Sequence, residues 1–209
     1  MHVAAYDPGW PGRFEAEQAI LEQVLAPWLC GGIHHIGSTA VPGLAAKPVL
    51  DMIAGVRDLD QAAAAIGVLR RLSYAHAPHR PRALWFCKPA SAGAARHAHH
   101  LHLTEPGNDL WQERLAFRDA LRADPVLASQ YQELKMRLAD SAGDIAIYTA
   151  GKRAFVAGVL AGAGIHLRPR TANGTGQPAQ ARLSPATPAE ITARDKCDRP
   201  GAARTTCGR

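Results

Sequence analysis

Apolar residues in the first part of the chain recur with two different spacings. Over residues 11–29 they recur at close to 3.6 residues, which predicts an amphipathic helix that Gly31 and Gly32 end. Short apolar runs at 33–36 and 49–56 predict two strands, and the nearly continuous second run is typical of a strand buried on both faces. The chain is therefore predicted to open with one helix followed by two sheet strands.

The pattern continues with a helix, two strands and a helical end. Residues 58–72 are rich in Ala, and Asp58 stands where an N-cap is expected. Residues 83–88 and 99–104 predict two more strands. The last three predicted helices span residues 109–122, 125–140 and 144–161. Strands and helices that mix early, followed by helices that close the domain, predict an α/β (α+β) fold with a mixed sheet flanked by helices.

The composition changes near Leu167. Residues 168–209 are rich in Pro, Gly, Thr, Ala and Arg, and they cannot bury enough apolar surface to offset the entropy of ordering. We therefore predict a folded domain over 1–167 and a disordered basic tail over 168–209. The tail holds eight of the 24 Lys and Arg residues and three of the 18 Asp and Glu residues, so it carries most of the net charge of +6. Because the tail has no aromatic residue, this charge does not indicate nucleic-acid binding.

The overall composition is that of a globular protein. Hydrophobic residues make up 47% and charged residues 20% of the 209 residues, and no apolar run is long enough to span a membrane. The N-terminus has acidic residues and prolines where a signal peptide has its apolar segment, so we expect a cytoplasmic protein without a membrane partner. The four cysteines share no close spacing, which argues against a disulfide framework and a zinc–cysteine site.

A turn of small residues follows the first predicted strand. Gly37, Ser38 and Thr39 offer hydroxyl and backbone N–H groups without a bulky side chain to keep a phosphate away. Lys47 adds a cation on the far side of the loop. These four residues predict a phosphate-binding turn, and the alternative is an ordinary Gly-Ser turn without a ligand.

Asp51 is the odd residue in the apolar run 49–54. A carboxylate in such a strand is costly to bury unless it is paired or bound to a cation. One interpretation makes Asp51 the ligand of a divalent metal, Mg²⁺ or Mn²⁺, that bridges nucleotide phosphates held by the turn. The other interpretation pairs Asp51 with a nearby Lys or His and gives it a structural role only.

Histidines cluster in the strand predicted at 99–104. Four of the ten histidines in the chain are His97, His99, His100 and His102. In a strand, His100 and His102 share one face, so both are candidates to lie beside Asp51 if the two strands are neighbours. They could ligate Zn²⁺ or Mn²⁺ together with Asp51, or act as catalytic acid–base groups. The alternative is a set of inert histidines on a half-exposed strand.

These motifs together resemble the GrpB family. The resemblance covers about Tyr6 to Val159, and it rests on the segments Tyr6–Pro11, His35–Pro48, His99–His102, Phe117–Arg122 and Tyr148–Phe155. That family is described as predicted nucleotidyltransferases of the DNA polymerase β superfamily. The resemblance implies a nucleotidyltransferase-like fold, a nucleotide substrate and a small-molecule acceptor. A similar domain lies behind dephospho-coenzyme A kinase in some actinobacteria, which implies a link to coenzyme A metabolism.

The resemblance also implies a role for Lys152, but this chain departs from the superfamily pattern at one position. The superfamily often directs a helical lysine at the triphosphate, and Lys152 stands on the last predicted helix, four residues after Tyr148. A polymerase-like enzyme has a second acid two residues after the first, where this chain has Ile53. Since two carboxylates normally hold two metals, the standard two-metal scheme cannot be carried over intact.

Three functions remain open from the sequence. The first is transfer of a nucleotidyl group to an unidentified small acceptor, with Asp51 and a histidine at the centre of the chemistry. The second is a non-catalytic module that binds a nucleotide or coenzyme A, which Ile53 favours. The third is a histidine-rich metal-binding protein.

Overall fold

Within the described residues, five strands pair into one sheet. The computed structural model describes residues 3–77, 82–89, 97–141 and 145–166, and the predicted tail at 168–209 lies outside them. The strands are β1 (Leu29–Ile36), β2 (Leu50–Val56), β3 (Ala75–His76), β4 (Leu84–Pro89) and β5 (His97–Thr104). Their order in the sheet is β1-β2-β5-β4-β3, with β2 and β5 parallel and the other neighbours antiparallel. The two strands with candidate chemistry are therefore adjacent, as expected.

Helices lie before, between and after these strands. They are α1 (Trp10–Leu25), α2 (Leu59–Ala62), α3 (Ala65–Arg71), α4 (Asp109–Ala123), α5 (Pro125–Ser141), α6 (Ile145–Gly151) and α7 (Arg153–Gly162). None of the helices in the described part of the chain is both long and apolar enough to cross a membrane. The mixed sheet with flanking helices confirms the predicted fold class.

Apolar side chains cover both faces of the central strand β2. Met52 and Ala54 belong to a core that includes Leu21 and Leu25 of α1. On the opposite face, Ile53 packs with Leu110 of α4 and other apolar residues. This two-sided burial explains why β2 reads as a continuous apolar run, and it makes a charged residue in β2 conspicuous.

The glycine pair does not end the first helix, which corrects that prediction. Helix α1 ends at Leu25, and Gly31 lies inside β1. A Cβ added to Gly55 of β2 would lie 2.7 Å from the Gly31 Cα and 3.0 Å from the ring of Trp111. The missing side chains therefore let two strands and an aromatic ring approach closely, a requirement that helical periodicity does not show.

Two predicted helices are each divided in the structure. The Asp58 Oδ1 accepts a hydrogen bond from the Gln61 N–H at 2.9 Å, so the predicted N-cap is present, but a turn at Ala63 and Ala64 separates α2 from α3. The predicted helix 144–161 breaks at Lys152, which separates α6 from α7. The two-residue strand β3 is too short to produce a recognisable alternation.

The close packing at Gly55 predicts a stability difference between two glycine substitutions. We expect Gly55→Ala to lower the free energy of unfolding by about 1–3 kcal/mol, because a methyl group would overlap backbone and Trp111 atoms. Gly67→Ala is the control, since Gly67 lies in helix α3 with open space around it and should gain up to about 1 kcal/mol. Urea denaturation measures both values, and equal effects would contradict the packing argument.

Candidate functional site

Asp51 and His100 form the centre of the candidate site. The parallel pairing of β2 and β5 places Asp51 directly opposite His100 and Ile53 opposite His102. The His100 Nδ1 lies 2.9 Å from the Asp51 Oδ1, which is a hydrogen-bonding distance. The Asp51 side chain is 34% exposed and that of His100 is 21% exposed, so solvent reaches the pair. The carboxylate is thus paired and accessible.

His97 extends this pair into a chain of three polar groups. The His97 Nδ1 lies 3.3 Å from the His100 Nε2. Because an ionised carboxylate only accepts hydrogen bonds, a neutral His100 donates from Nδ1 to Asp51 and accepts at Nε2 from the His97 Nδ1–H. Burial, His100 and Lys47 together lower the pKa of His97 below its ordinary value. A proton therefore has a continuous path from His97 through His100 to Asp51.

His102 lies opposite Ile53, two residues along β2 from Asp51. It is buried, and its ring centre is 6.5 Å from that of Trp85, whereas the His100 ring centre is 5.3 Å from the same tryptophan. His99 lies 3.9 Å from the Glu17 carboxylate, in a contact to helix α1. The structure thus joins His100 to Asp51 and adds His97, which sequence reasoning noted in the cluster but did not select.

Gly37 lies directly against the Asp51 carboxylate. Its φ is +72°, a left-handed conformation that favours glycine. A Cβ added there would lie 2.6 Å from the Asp51 Oδ2 and 3.0 Å from the Asp51 Cβ. The predicted turn and the predicted acid are therefore in contact, and the absence of a side chain at Gly37 makes that contact possible.

Ser38 and Thr39 have different surroundings in this turn. Ser38 is partly exposed and begins a short 3-10 helix, Ser38–Ala40. Thr39 is buried, and its hydroxyl donates to the Val49 carbonyl at 3.2 Å and lies 2.9 Å from the His35 Nε2. Burial lowers the pKa of His35 to about 4, so this imidazole is neutral and donates its Nε2–H to the Thr39 hydroxyl. The Thr39 side chain thus holds the loop together, and Ser38 is the hydroxyl on the accessible side.

Positive side chains surround Asp51. Partial burial opposes ionisation of Asp51, but the hydrogen bond from His100 and the charges of His100, His102 and Arg114 outweigh it and lower the pKa of the carboxyl. Burial, Arg114 and Lys47 together lower the pKa of Lys152 to about 8, against the opposing effect of Asp51. The Arg114 Nε is buried without a hydrogen-bond partner among the described residues. Asp51 therefore shares its surroundings with the cations Lys47, Arg114 and Lys152.

Lys135 is a further residue of this region that the sequence analysis missed. It is 2% exposed, and its Nζ donates to the Ala45 carbonyl while the Gln132 Oε1 accepts from the Ala45 N–H at 2.7 Å. Burial and the charge of Lys152 lower the pKa of Lys135 to about 7. Helix α5 thus holds both backbone groups of Ala45 in the loop that leads to Lys47. The available signal was a lysine four residues after Tyr131, whose ring its Nζ faces at 5.0 Å.

The positive side chains near Asp51 fit an anion better than a bare metal ion. No group of three or more His, Cys, Asp or Glu side chains in the described part of the chain is arranged to hold a metal. The Asp51 Oδ1 is engaged with His100, and nearby cations oppose a divalent cation. Asp51, His100 and His102 do not by themselves form a metal site, so the metal predicted from the sequence stays a prediction.

Ile53 occupies the position of the second acid and is fully buried. It packs with Ile36, Ala83 and Leu110 in the apolar core beneath α4. An acid at this position would be fully buried among these apolar groups, which is costly. The packing around residue 53 therefore disfavours a second carboxylate beside Asp51 on this strand.

A family model described as GrpB protein matches residues 1–161 of the chain. The chain belongs to the GrpB family. The match confirms the resemblance seen in the motifs. It spans every residue placed around Asp51, including Lys152.

GrpB relatives from several bacteria agree with this assignment. A UPF0157 protein of Deinococcus radiodurans is 36% identical over 161 residues, which are 77% of this chain and 81% of that protein. The glutamate-rich protein GrpB of Alkalihalophilus pseudofirmus is 30% identical over 76% of this chain and 92% of its own length. The UPF0157 protein YqkA of Bacillus subtilis is 33% identical over 73% of this chain, and the match spans 44% of YqkA.

A solved GrpB structure shares the fold. The crystal structure of conserved protein GrpB from Enterococcus faecalis matches with a TM-score of 0.70 and 31% sequence identity. The match covers 78% of this chain and 96% of that one. The described sheet and helices are thus an arrangement that occurs in a second GrpB protein.

The contact between Gly37 and Asp51 predicts the effect of one methyl group. Both Gly37 and Gly43 have positive φ, at +72° and +76°, but a Cβ at Gly43 would meet nothing within 4 Å. Gly37→Ala and Gly43→Ala therefore both place an alanine at positive φ, and only Gly37→Ala also displaces Asp51. We expect Gly37→Ala to lower the free energy of unfolding by about 1–3 kcal/mol more than Gly43→Ala.

The same pair of variants tests the geometry of the carboxylate. In Gly37→Ala the displaced Asp51 should lose part of its contact with His100, so its pKa should move back toward the ordinary 3.8. Carboxyl ¹³C NMR measures this pKa in both variants. An unchanged Asp51 pKa in a folded Gly37→Ala protein would show that the turn does not position the acid.

Proposed function

We propose that the cleft around Asp51 binds the phosphates of a nucleotide and transfers its nucleotidyl group to a small hydroxyl-bearing acceptor. The observation that carries this proposal is the hydrogen-bonded Asp51–His100–His97 chain beside a turn of small residues and several cations. Membership of the GrpB family agrees with it, because the motifs that carry the resemblance include Gly37, Ser38, Lys47, His100 and Lys152 of this cleft.

The cations provide the attraction for the phosphate groups. Lys47, Arg114 and Lys152 would balance the negative charge of a nucleotide, and the buried Arg114 Nε would gain a hydrogen-bond acceptor. Gly37 and Ser38 form the nearby surface that a phosphate can approach closely. Because the Arg114 Nε is buried and the turn at Gly37 packs against Asp51, these two groups would orient the phosphorus atom at little entropic cost.

The histidine chain supplies the proton transfer that the reaction needs. The acceptor hydroxyl oxygen would form a bond to the α-phosphorus, and the bond from that phosphorus to pyrophosphate would break, with its electron pair leaving on pyrophosphate. The acceptor proton would pass to the Nε2 of His97, whose Nδ1–H would move to the His100 Nε2, while ionised Asp51 stabilises the His100 imidazolium. No step is assigned to a metal ion, and metal dependence is measured in the test below.

A non-catalytic module is the second candidate, and Ile53 favours it. The buried Ile53 leaves the cleft with one carboxylate where polymerase-like enzymes use two or more. A protein of this kind would bind a nucleotide or coenzyme A through the same cations and would release it unchanged. The two candidates therefore predict the same binding and differ in turnover.

Turnover is tested by pyrophosphate release. The wild-type protein should release pyrophosphate from a nucleoside triphosphate in the presence of a panel of small hydroxyl compounds, assayed with Mg²⁺, Mn²⁺, Zn²⁺ or EDTA. Asp51→Asn should lower the rate by about 100-fold or more, because the imidazolium loses its counter-charge. His97→Gln should lower it by about tenfold or more, since glutamine cannot take up the acceptor proton at the outer end of the chain.

Asp60→Asn serves as the matched control, because Asp60 is an exposed carboxylate in α2. It should leave the rate unchanged. A full rate in Asp51→Asn would overturn the enzymatic proposal. Calorimetric binding of a nucleotide or coenzyme A, with no release under any metal condition, would select the module instead.

The lowered pKa of Lys152 predicts a pH dependence of nucleotide binding. Its pKa is lowered to about 8 by burial, and a phosphate binds only the charged ammonium form. The dissociation constant should therefore rise about tenfold between pH 7 and pH 9, since about nine-tenths of Lys152 is neutral at the higher pH. Calorimetric titration with a nucleoside triphosphate measures this change.

Two substitutions at Lys152 separate this effect from other titrations. Lys152→Arg should keep tight binding up to pH 9, because arginine stays charged. Lys152→Gln should bind weakly at both pH values. A pH profile that is the same in all three proteins would assign the titration to another group.

A further inference from the structure

A cavity of about 390 Å³ lies beside strand β1, outside the cleft around Asp51. Its lining comes from helix α1, strand β1, the start of the loop after β1, and helix α4. Among its lining residues, His35 also contacts Thr39 of the turn beside Asp51, and the others are not among the groups placed around the Asp51–His100 pair. A volume of this size is within the range of small-molecule sites, which runs from about 300 to 1,000 Å³. The cavity is therefore large enough for a second ligand.

Flat and apolar groups form one part of the cavity wall. The rings of Phe14 and His35 stack with centres 4.7 Å apart and planes 10° apart, and Tyr6 and Pro42 also line the space. His35 is neutral at neutral pH because burial lowers its pKa to about 4. This part of the wall suits the uncharged, planar body of a ligand.

Two arginines from successive turns of α4 form the polar part of the wall. The Arg118 side chain is 13% exposed and pairs with Asp119, and its NH1 donates to the His35 carbonyl at 3.1 Å. Arg122 donates from Nε to the Ala40 carbonyl at 2.9 Å. This bond orients the guanidinium, and no hydrogen bond within the described part of the chain engages its two terminal amino groups. A fixed guanidinium with two such groups matches the oxygens of a carboxylate or phosphate.

The same hydrogen bonds connect this cavity to the turn beside Asp51. Arg118 holds the His35 carbonyl and Arg122 holds the Ala40 carbonyl, so the two arginines bracket the segment with Gly37 and Ser38. An anion that engages Arg122 therefore contacts a side chain that also positions this turn. The cavity and the cleft are separate in their lining residues and share one backbone segment.

We propose that this cavity is a second binding site, which takes a small molecule with one carboxylate or phosphate group on a flat apolar body. Arg122 binds the anionic group, and Phe14, His35 and Pro42 contact the body. Exposed Glu15 at the same cavity opposes the anion and limits its affinity. The site stands independently of the proposed function, because it uses different residues.

Phenyl phosphate and benzoate are suitable probes, with inorganic phosphate as the probe that lacks the flat body. We expect saturable binding of both aromatic probes by NMR titration, with the largest shifts at Phe14, Ala40 and the Arg122 side chain. Arg122→Gln should weaken binding about tenfold, the value of one charge-assisted hydrogen bond that is partly exposed to solvent. Arg122→Lys should weaken it less, since it keeps the charge and loses the paired donors.

Glu15→Gln gives a test with the opposite sign. It removes an exposed negative charge without touching the core, so it should strengthen binding about twofold at low salt. A purely structural role of Glu15 and Arg122 would not move the affinity in opposite directions. This variant also keeps the proposal testable if Arg122→Gln does not fold.

Lys152→Gln locates the bound probe. It should leave the binding of phenyl phosphate to this cavity unchanged, because Lys152 does not line it. If Lys152→Gln lost all binding of phenyl phosphate while Arg122→Gln kept it, the probe would be bound at the Asp51 cleft, and the second site would be overturned. Unsaturable binding, or inorganic phosphate that shifts Phe14 and Ala40 at as low a concentration as phenyl phosphate does, would also overturn it.

Discussion

The hydrogen bond between Asp51 and His100 joins the two central strands at the candidate site. A carboxylate in a strand with apolar cores on both sides needs a partner, and the parallel register of β2 and β5 supplies the His100 imidazole directly opposite. This bond fixes which nitrogen of His100 carries the proton and so determines how His97 continues the chain. It also helps to keep the acid ionised among nearby cations. The chemistry proposed for the cleft depends on this one geometry.

The rest of the cleft is shaped by what surrounds that bond. Gly37 contacts the carboxylate because it has no side chain and a positive φ, and Thr39 holds the same loop through His35 and Val49. The C-terminal helices bring in Arg114, Lys135 and Lys152. The match to the GrpB family model spans all of these residues.

Much of the sheet and part of the site could be predicted from local patterns. The apolar run of β2, the cap at Asp58 and the helices after residue 108 follow directly from spacing and residue type. Asp51 was conspicuous as a charge in that run, and the histidine cluster was visible at once. The role of Gly31 was predicted wrongly, because a close approach of two strands leaves no periodic signal. The periodic pattern also did not show the two-residue strand β3 or the division of the helix at Lys152.

The sequence by itself determined the element types, the family, the single acid of β2 and the buried isoleucine in place of a second acid, because these depend on residue identity and short-range spacing. Only the tertiary structure decided that the His97 ring lies within hydrogen-bonding distance of His100, since that contact depends on side-chain directions. It also decided which cations gather around Asp51 and where the second cavity forms. Arg114 and Lys152 lie 63 and 101 positions beyond Asp51 in the chain. No local pattern reports an approach of that kind, because it arises from how α4 and the helices after it pack onto the sheet.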